Sequence, residues 1–154
     1  MIKFSVKEVV EQAVQTEKLG YEFYSEMAKR FHVNHELKQL FELLAAHELK
    51  HGKRFSDLEN SITEETEGWE EATLYLRAIV ESEFFLGKDK CLPSLAHVKT
   101  PSEAIHFALC FERETLLYYY TLREMVMEKD IVDEIIREEK SHIVWLSNLK
   151  KLFV

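Results

Sequence analysis

Two Glu-x-x-His pairs, Glu48 with His51 and Glu139 with His142, stand inside apolar stripes at helical spacing. On a helix, residues three apart share a face. That face reads Leu37, Phe41, Leu44, Glu48, His51, Phe55, Leu58 around the first pair, and Val132, Ile135, Glu139, His142, Leu146, Leu149, Phe153 around the second. Both follow the alternating three-and-four spacing of a bundle seam. A carboxylate and an imidazole therefore occupy positions where a bundle helix carries Leu. Burying an unpaired ion costs several kcal/mol, so a fold that buries these seams must compensate them.

Two further stripes carry the same kind of intruder. One runs Val6, Val10, Ala13, Glu17, Gly20, Tyr24, Met27, Phe31; the other runs Ile105, Ala108, Glu112, Thr115, Tyr119, Leu122, Val126. Each has one Glu on the seam, followed seven residues later by a Tyr. Glu22 and Glu114 fall off these seams and read as solvated surface charge. Four helices thus contribute Glu, Glu-x-x-His, Glu and Glu-x-x-His in chain order.

Local signals place the helices. Ser5 and Glu8 form a capping-box pattern for a first helix from about Val6 to Phe31. A short turn at Asn34 and His35 leads to a second, about Glu36 to Glu59. Thr100, Pro101 and Glu103 supply a cap, a first-turn proline and a capping acid for a third, which reaches about Lys129. Asp130 is expected to cap the fourth, which runs to the C-terminus. Between the second and third, a shorter helix is expected over about Trp69 to Leu86, stopped by Gly87. The halves align: AVQTEKLGYEFY at 13–24 resembles ALCFERETLLYY at 108–119. Short turns within each half and a long connection between them predict two antiparallel hairpins. The fold class is all-α, a four-helix bundle with one crossover that carries an additional short helix.

Composition agrees with one domain over residues 1–154, long enough for a proper core. Hydrophobic residues make up 46% and charged ones 31%, with only four Gly and two Pro, which suits a soluble helical protein. No apolar run approaches the roughly 20 residues of a membrane span. MIKFSVKEVV is too weakly apolar for a secretory signal, so the expected address is cytoplasmic. Cys91 and Cys110 make no disulfide framework, and no C-x-x-C occurs. The net charge of −8 argues against nucleic acid as a partner.

A pair of metal ions would require these residue types at these spacings. A Glu from each of two helices, with Glu-x-x-His from the other two, is the donor pattern of two-metal carboxylate sites in helix bundles. Four carboxylates and two imidazoles suit iron or manganese better than a thiolate-preferring metal. By symmetry, Glu17 and Glu112 are expected as terminal ligands, Glu48 and Glu139 as bridges, and His51 and His142 on one ion each. Tyr24 and Tyr119 are either plain core aromatics or hydroxyl partners of the ligand carboxylates.

With these residues the chain resembles the rubrerythrin-like branch of the ferritin-like di-iron carboxylate proteins, over nearly its whole length. The matching positions are Glu17, Glu48, His51, Glu112, Glu139 and His142, with Tyr24 and Tyr119 beside them. The resemblance implies two iron ions, with manganese using the same ligands. It also implies reduction of hydrogen peroxide or dioxygen. Two departures stand out. Rubrerythrins usually carry a Cys-rich rubredoxin module; none is seen here, so the resemblance implies a separate electron-donor protein. They also tend to carry an extra Glu one turn beyond the third-helix ligand, where this chain has Thr115. A second function stays open beside the oxidoreductase: iron binding for storage or sequestration, without a turnover reaction. A third is a packing-only bundle with internally paired Glu and His. A monomer or homodimer would favour the enzyme, and an assembly near 24 subunits would favour storage.

The remaining residues are expected to be ordinary. His47 points off the seam, toward the surface. His32, His35, His97 and His106 read as structural or solvated. Cys110 is expected to be a buried, inert thiol. Gly20 either makes room for ligands or a substrate channel, or allows close helix packing. The Tyr118, Tyr119, Tyr120 run wraps its helix, so one ring is expected to meet the crossover helix or a second subunit.

Overall fold

A computed structural model of the chain describes residues 5–62, 74–76, 78 and 97–153. Four long helices account for most of them: α1 (Val6–Arg30), α2 (His35–Ser61), α3 (Pro101–Met125) and α4 (Lys129–Lys150), with a 3-10 turn at Lys151–Phe153. Among the described residues there is no strand. No helix among them is long and apolar enough to cross a membrane.

Side-chain caps set three of the four starts, at Ser5 and Thr100 as expected and at Asn34, where the sequence indicated only a turn. The Ser5 hydroxyl accepts from the Glu8 amide at 3.2 Å, and the Glu8 carboxylate accepts from the Ser5 amide at 2.8 Å. These bonds satisfy amides that a first helical turn otherwise leaves free. Asn34 caps α2 through the Leu37 amide at 3.1 Å, and Thr100 caps α3 through the Glu103 amide at 3.1 Å. Glu103 departs slightly from the expected box, because its carboxylate accepts from Lys99 rather than from Thr100.

The junction between α3 and α4 differs from the sequence expectation. The α3 helix stops at Met125, not Lys129, because Val126 turns extended at φ −95° and ψ 155°. Lys129 Nζ reaches back to the carbonyls of Arg123 at 2.8 Å and Val126 at 3.2 Å. It covers oxygens that the helix end leaves unpaired. Asp130 does not cap α4: Glu128 occupies that position without a side-chain bond, and Asp130 sits in the first turn, where its charge faces the positive end of the helix dipole. Arg123 then grips Asp133 with both Nε and a terminal nitrogen, tying the end of α3 to the start of α4.

The α1 helix lies along α2 and α3 along α4, giving the two expected hairpins; α1 against α3 and α2 against α4 close the bundle. Every seam residue of the four stripes is buried apart from Phe31 and Phe153, which are half-buried. Of the expected crossover helix at 69–86, residues 74–76 and 78 are helical; the rest, with its stop at Gly87, lies outside the described residues. Leu76 packs in one apolar cluster with Tyr118, as expected of a tyrosine that meets the crossover.

The core is split in two. One cluster holds Phe23, Tyr24, Met27, Phe41, Leu44, Ala108, Phe111 and Leu146; the other holds Val10, Ala13, Phe55, Leu58, Tyr118, Tyr119, Leu122 and Ile136. On every helix, the intruding polar residues fall between the positions that feed these two clusters. Full burial of each large apolar side chain is worth roughly 1.5–3 kcal/mol. Two apolar plugs therefore hold a polar layer shut from both ends.

Candidate metal centre

Glu17, Glu48, His51, Glu112, Glu139 and His142 are all fully buried, each at 0% exposure. They meet in that layer because each helix delivers its seam position to the bundle axis at the same height. Nδ1 of His51 faces Glu139 at 2.8 Å, Glu17 at 3.6 Å and Glu48 at 3.9 Å. Nδ1 of His142 faces Glu112 at 3.2 Å, Glu139 at 3.4 Å and Glu48 at 3.6 Å. The two imidazole rings lie nearly parallel, 5.9 Å apart. The pseudo-symmetry of the sequence thus appears as two mirrored sets of three carboxylates around one imidazole.

Two groups of donor atoms result, each within 4.8 Å: Glu17, Glu48, His51, Glu139 and Glu48, Glu112, Glu139, His142. Glu48 and Glu139 belong to both groups. They are the shared pair on this geometry, and Glu17 and Glu112 each belong to one.

The donor set fits two divalent cations. Both oxygens of Glu48 and one each of Glu17, Glu112 and Glu139 are buried without a hydrogen-bond partner. Native interiors leave few such atoms, and a carboxylate oxygen offers lone pairs only. The partner these oxygens lack is therefore a cation or a proton. Two divalent charges would balance four carboxylates, and hard oxygen donors with imidazole suit iron or manganese alike.

Electrostatics in the metal-free state point the same way. Burial, and then the neighbouring Glu139, Glu17 and Glu112, hold the Glu48 carboxyl well above its ordinary range. Burial and Glu139 push Glu112 up to about 8, against the pull of His142. Burial disfavours the charged form of His51, yet bonds to Glu139 and Glu17 push it up to about 11. The same opposition, with Glu112 as the main partner, takes His142 to about 10. Without metal, the cluster retains protons that the exposed side chains would have released.

The tyrosines act on the terminal carboxylates. The Tyr24 hydroxyl donates to Oε1 of Glu112 at 2.5 Å, and the Tyr119 hydroxyl donates to Oε1 of Glu17. Each bond crosses between hairpins and leaves the other oxygen of its glutamate free. Burial, with Glu112 for Tyr24 and Glu17 for Tyr119, raises both phenols, so they stay protonated as donors.

Gly20 makes room. A Cβ there would meet Phe111 at 2.9 and 3.0 Å and the Glu48 carboxyl carbon at 3.3 Å, whereas one at Gly52 would meet only Glu17 Cβ at 3.5 Å. Gly20→Ala is expected to destabilise, because overpacking against a buried ring costs about 1–3 kcal/mol and the helix-propensity gain is about 1 kcal/mol. Gly52→Ala has space and should gain up to that 1 kcal/mol, about 2–4 °C in melting temperature at this chain length. Paired thermal melts check the opposite signs; equal shifts would remove the packing role of Gly20.

Three sequence expectations need correction, those for His47, Glu114 and Cys110. His47 is half-buried, not on the surface, and its Nδ1 lies 2.9 Å from Nε2 of His142. Glu114 is half-buried rather than solvated. Cys110 is also half-buried, with its sulfur 3.9 Å from Nε2 of His106. Thr115 is buried on the seam, but its hydroxyl donates to the Phe111 carbonyl at 2.8 Å, so it is committed to its own helix. Sequence reasoning also missed Glu138, whose carboxylate bonds Nε2 of His51. One signal was available for both: His47 and Glu138 each stand immediately before the Glu of a Glu-x-x-His pair. His32, His35, His97 and His106 are exposed, as expected.

A cleft of about 430 Å³ opens between α1 and α2 and reaches Glu17 and Glu48, past Val14, Tyr21, Leu49 and Gly52. Lys18, Lys50 and Lys53, all exposed, also line it.

Comparison with known proteins gives a family and a fold. The Rubrerythrin family model matches residues 8–150. The fold is similar to a crystal structure from Thermotoga maritima of a candidate ferritin-like diiron-carboxylate protein, with a TM-score of 0.74 and 21% identity over 100% of this chain and 99% of that one. No curated protein matches the sequence.

Proposed function

The chain belongs to the rubrerythrin family, and on that premise we propose that it is a di-metal oxidoreductase. It reduces hydrogen peroxide or dioxygen with electrons from a separate donor protein. The observation that supports this most is the set of five buried carboxylate oxygens without hydrogen-bond partners. They are divided between two donor groups that share Glu48 and Glu139.

Two iron or manganese ions, when bound there, supply one-electron redox chemistry at two adjacent centres. The side chains do the rest. Glu48 and Glu139 hold the two positions together, while Glu17 with His51 and Glu112 with His142 complete each one. Tyr119 and Tyr24 fix the rotation of the terminal carboxylates and keep their own protons. The two apolar clusters close the layer at its two ends, and the low polarity around the fully buried ligands strengthens the charge interactions among them. The cleft between α1 and α2 offers a small uncharged oxidant a route toward Glu17 and Glu48.

Storage is the other use of such a centre, and the mass of the assembly separates the two: an assembly near 24 subunits by light scattering would favour storage over turnover. The direct test is stopped-flow mixing of the reduced, iron-loaded protein with hydrogen peroxide and, separately, with dioxygen. Oxidation of about two irons per chain, faster than free ferrous iron under the same conditions, is expected with at least one of them. Rates no faster than free iron with both oxidants would overturn the oxidoreductase proposal.

A further inference from the structure

We propose that the two metal positions are built unequal, through the residue that precedes each Glu-x-x-His pair. This rests on the di-metal function proposed above. Glu138 comes immediately before Glu139 on α4, and His47 immediately before Glu48 on α2. Each crosses to the histidine of the other hairpin. The Glu138 carboxylate bonds Nε2 of His51, and Nδ1 of His47 lies 2.9 Å from Nε2 of His142.

In both histidines Nδ1 is the nitrogen turned toward the carboxylates. With its lone pair given to an ion, Nε2 carries the ring proton and donates it outward. The two hairpins thus supply the two outward acceptors from equivalent positions but with different chemistry. His51 donates to an anion. His142 donates to a second imidazole, which accepts only through an unprotonated Nδ1. Trp145 fixes this second pair, with its ring 5.7 Å from both His47 and His142.

A carboxylate acceptor polarises the ligating imidazole and places a full negative charge behind it; a neutral imidazole does neither. At the terminal glutamates the halves match: each receives one buried tyrosine hydroxyl. The outward acceptor is a difference that bears directly on the ligating imidazoles. The ion held by Glu17 and His51 binds more tightly. The ion held by Glu112 and His142 loads last and leaves first.

Equilibrium binding of Mn(II) to the full chain, read from the free-Mn(II) paramagnetic resonance signal at fixed pH, tests this. Circular dichroism of each variant reports the fold. The wild type should bind two ions in steps about ten-fold or more apart, the scale on which outer hydrogen-bond partners alter metal affinity. Glu138→Gln should weaken the tighter step about 10- to 100-fold and leave the other within about three-fold. His47→Glu should tighten the weaker step, a gain that a purely structural role for His47 would not produce. His51→Ala fixes the assignment: one ion should remain, at the weaker constant, insensitive to an added Glu138→Gln. Two equal steps in the wild type, equal weakening of both by Glu138→Gln, or weakening by His47→Glu would overturn the proposal and leave the di-metal function standing. Binding of no Mn(II) at all would overturn both.

Discussion

Glu48→Met is expected to raise the melting temperature of the metal-free protein and to abolish most of the stabilisation that metal confers. Both Glu48 oxygens are buried without a hydrogen-bond partner, and the nearest imidazole nitrogens stand 3.6 and 3.9 Å away. Four carboxylates share the layer with two imidazoles, so the cluster without metal is in excess of negative charge or must hold extra protons. Burial, followed by Glu139, Glu17 and Glu112, already drives Glu48 toward its protonated form. Replacing buried charged groups by well-packed apolar residues of similar volume is often neutral or stabilising, by about 1–4 kcal/mol where a whole ion pair or triad is replaced, and Glu48 is the surplus carboxyl here, without a hydrogen-bond partner whose charge its loss would strand. At about 2–4 °C per kcal/mol for a chain of this length, the upper part of that range is several degrees. Metal reverses the order. Two ions at a hundred times their dissociation constants each add about 2.7 kcal/mol to a wild-type fold. Glu48 belongs to both donor groups, so the Met variant loses a ligand from each. His142→Ala should lose only one ion. Scanning calorimetry with chelator and with excess Mn(II) gives all four values. A metal-free Glu48→Met protein less stable than wild type would show that Glu48 is compensated by something other than a cation. Wild-type stabilisation by metal persisting in the variant would remove it from the ligand set.

Most of this centre was legible because the seam periodicity and the ligand positions are one pattern. A Glu at 17, 48, 112 or 139 interrupts a run of Leu, Ile, Val and Phe, and whatever buries the run must bury the Glu. The hairpins followed from the same stripes with Asn34, Thr100 and Pro101 as punctuation. What escaped lies one step off the seam. His47 and Glu138 sit on the flank of their helices, and periodicity within one helix assigns such positions to the surface. Their partners, His142 and His51, belong to the opposite hairpin, and only the phase of one hairpin against the other brings them into bonding distance. The end of α3 escaped for another reason. No Gly, Pro or Asn marks the break between Val126 and Lys129, and the turn is held instead by Lys129 Nζ on two carbonyls. Thr115 shows a third limit: composition identifies a small polar residue on the seam, but not that its hydroxyl is spent on the Phe111 carbonyl.

Metal loading is expected to release protons, two from the histidines and a further contribution from Glu112 and Glu48 at pH 7.5 to 8, and the metal-free protein should lose stability as the pH rises through the same range. His51 is pushed up to about 11 and His142 to about 10, in each case by carboxylates that outweigh burial. An exposed histidine titrates near 6.5. A group whose pKa is raised by folding contributes stability that is complete below the unfolded value and disappears as the pH climbs through the folded one. For these histidines the window runs from about 6.5 to about 10–11. Glu112, raised by burial and Glu139 to about 8, loses its proton in the unfolded chain first, so its part of the loss begins near pH 4.5 and ends near 8. Both kinds of group therefore give the same sign: the fold holds more protons than the unfolded chain, and stability falls with pH. Glu139 is opposite. Burial and Glu17 push it up, but hydrogen bonding with Glu112, His142 and His51 outweighs them and lowers it, so its contribution is lost only on acidification. The two histidine protons alone correspond to a slope of about 2.7 kcal/mol per pH unit. Ligands must shed their protons to bind a cation, so the combined affinity for two ions should rise with pH over the same interval, by about 100-fold per unit or more. Calorimetric titration with Mn(II) in two buffers of different ionisation enthalpy counts the protons. Urea melts of the metal-free protein at pH 6.5, 7.5 and 8.5 give the slope. A proton count near zero, with a flat stability profile, would mean that the imidazoles are already neutral without metal. The charge balance assigned to this layer would then be wrong.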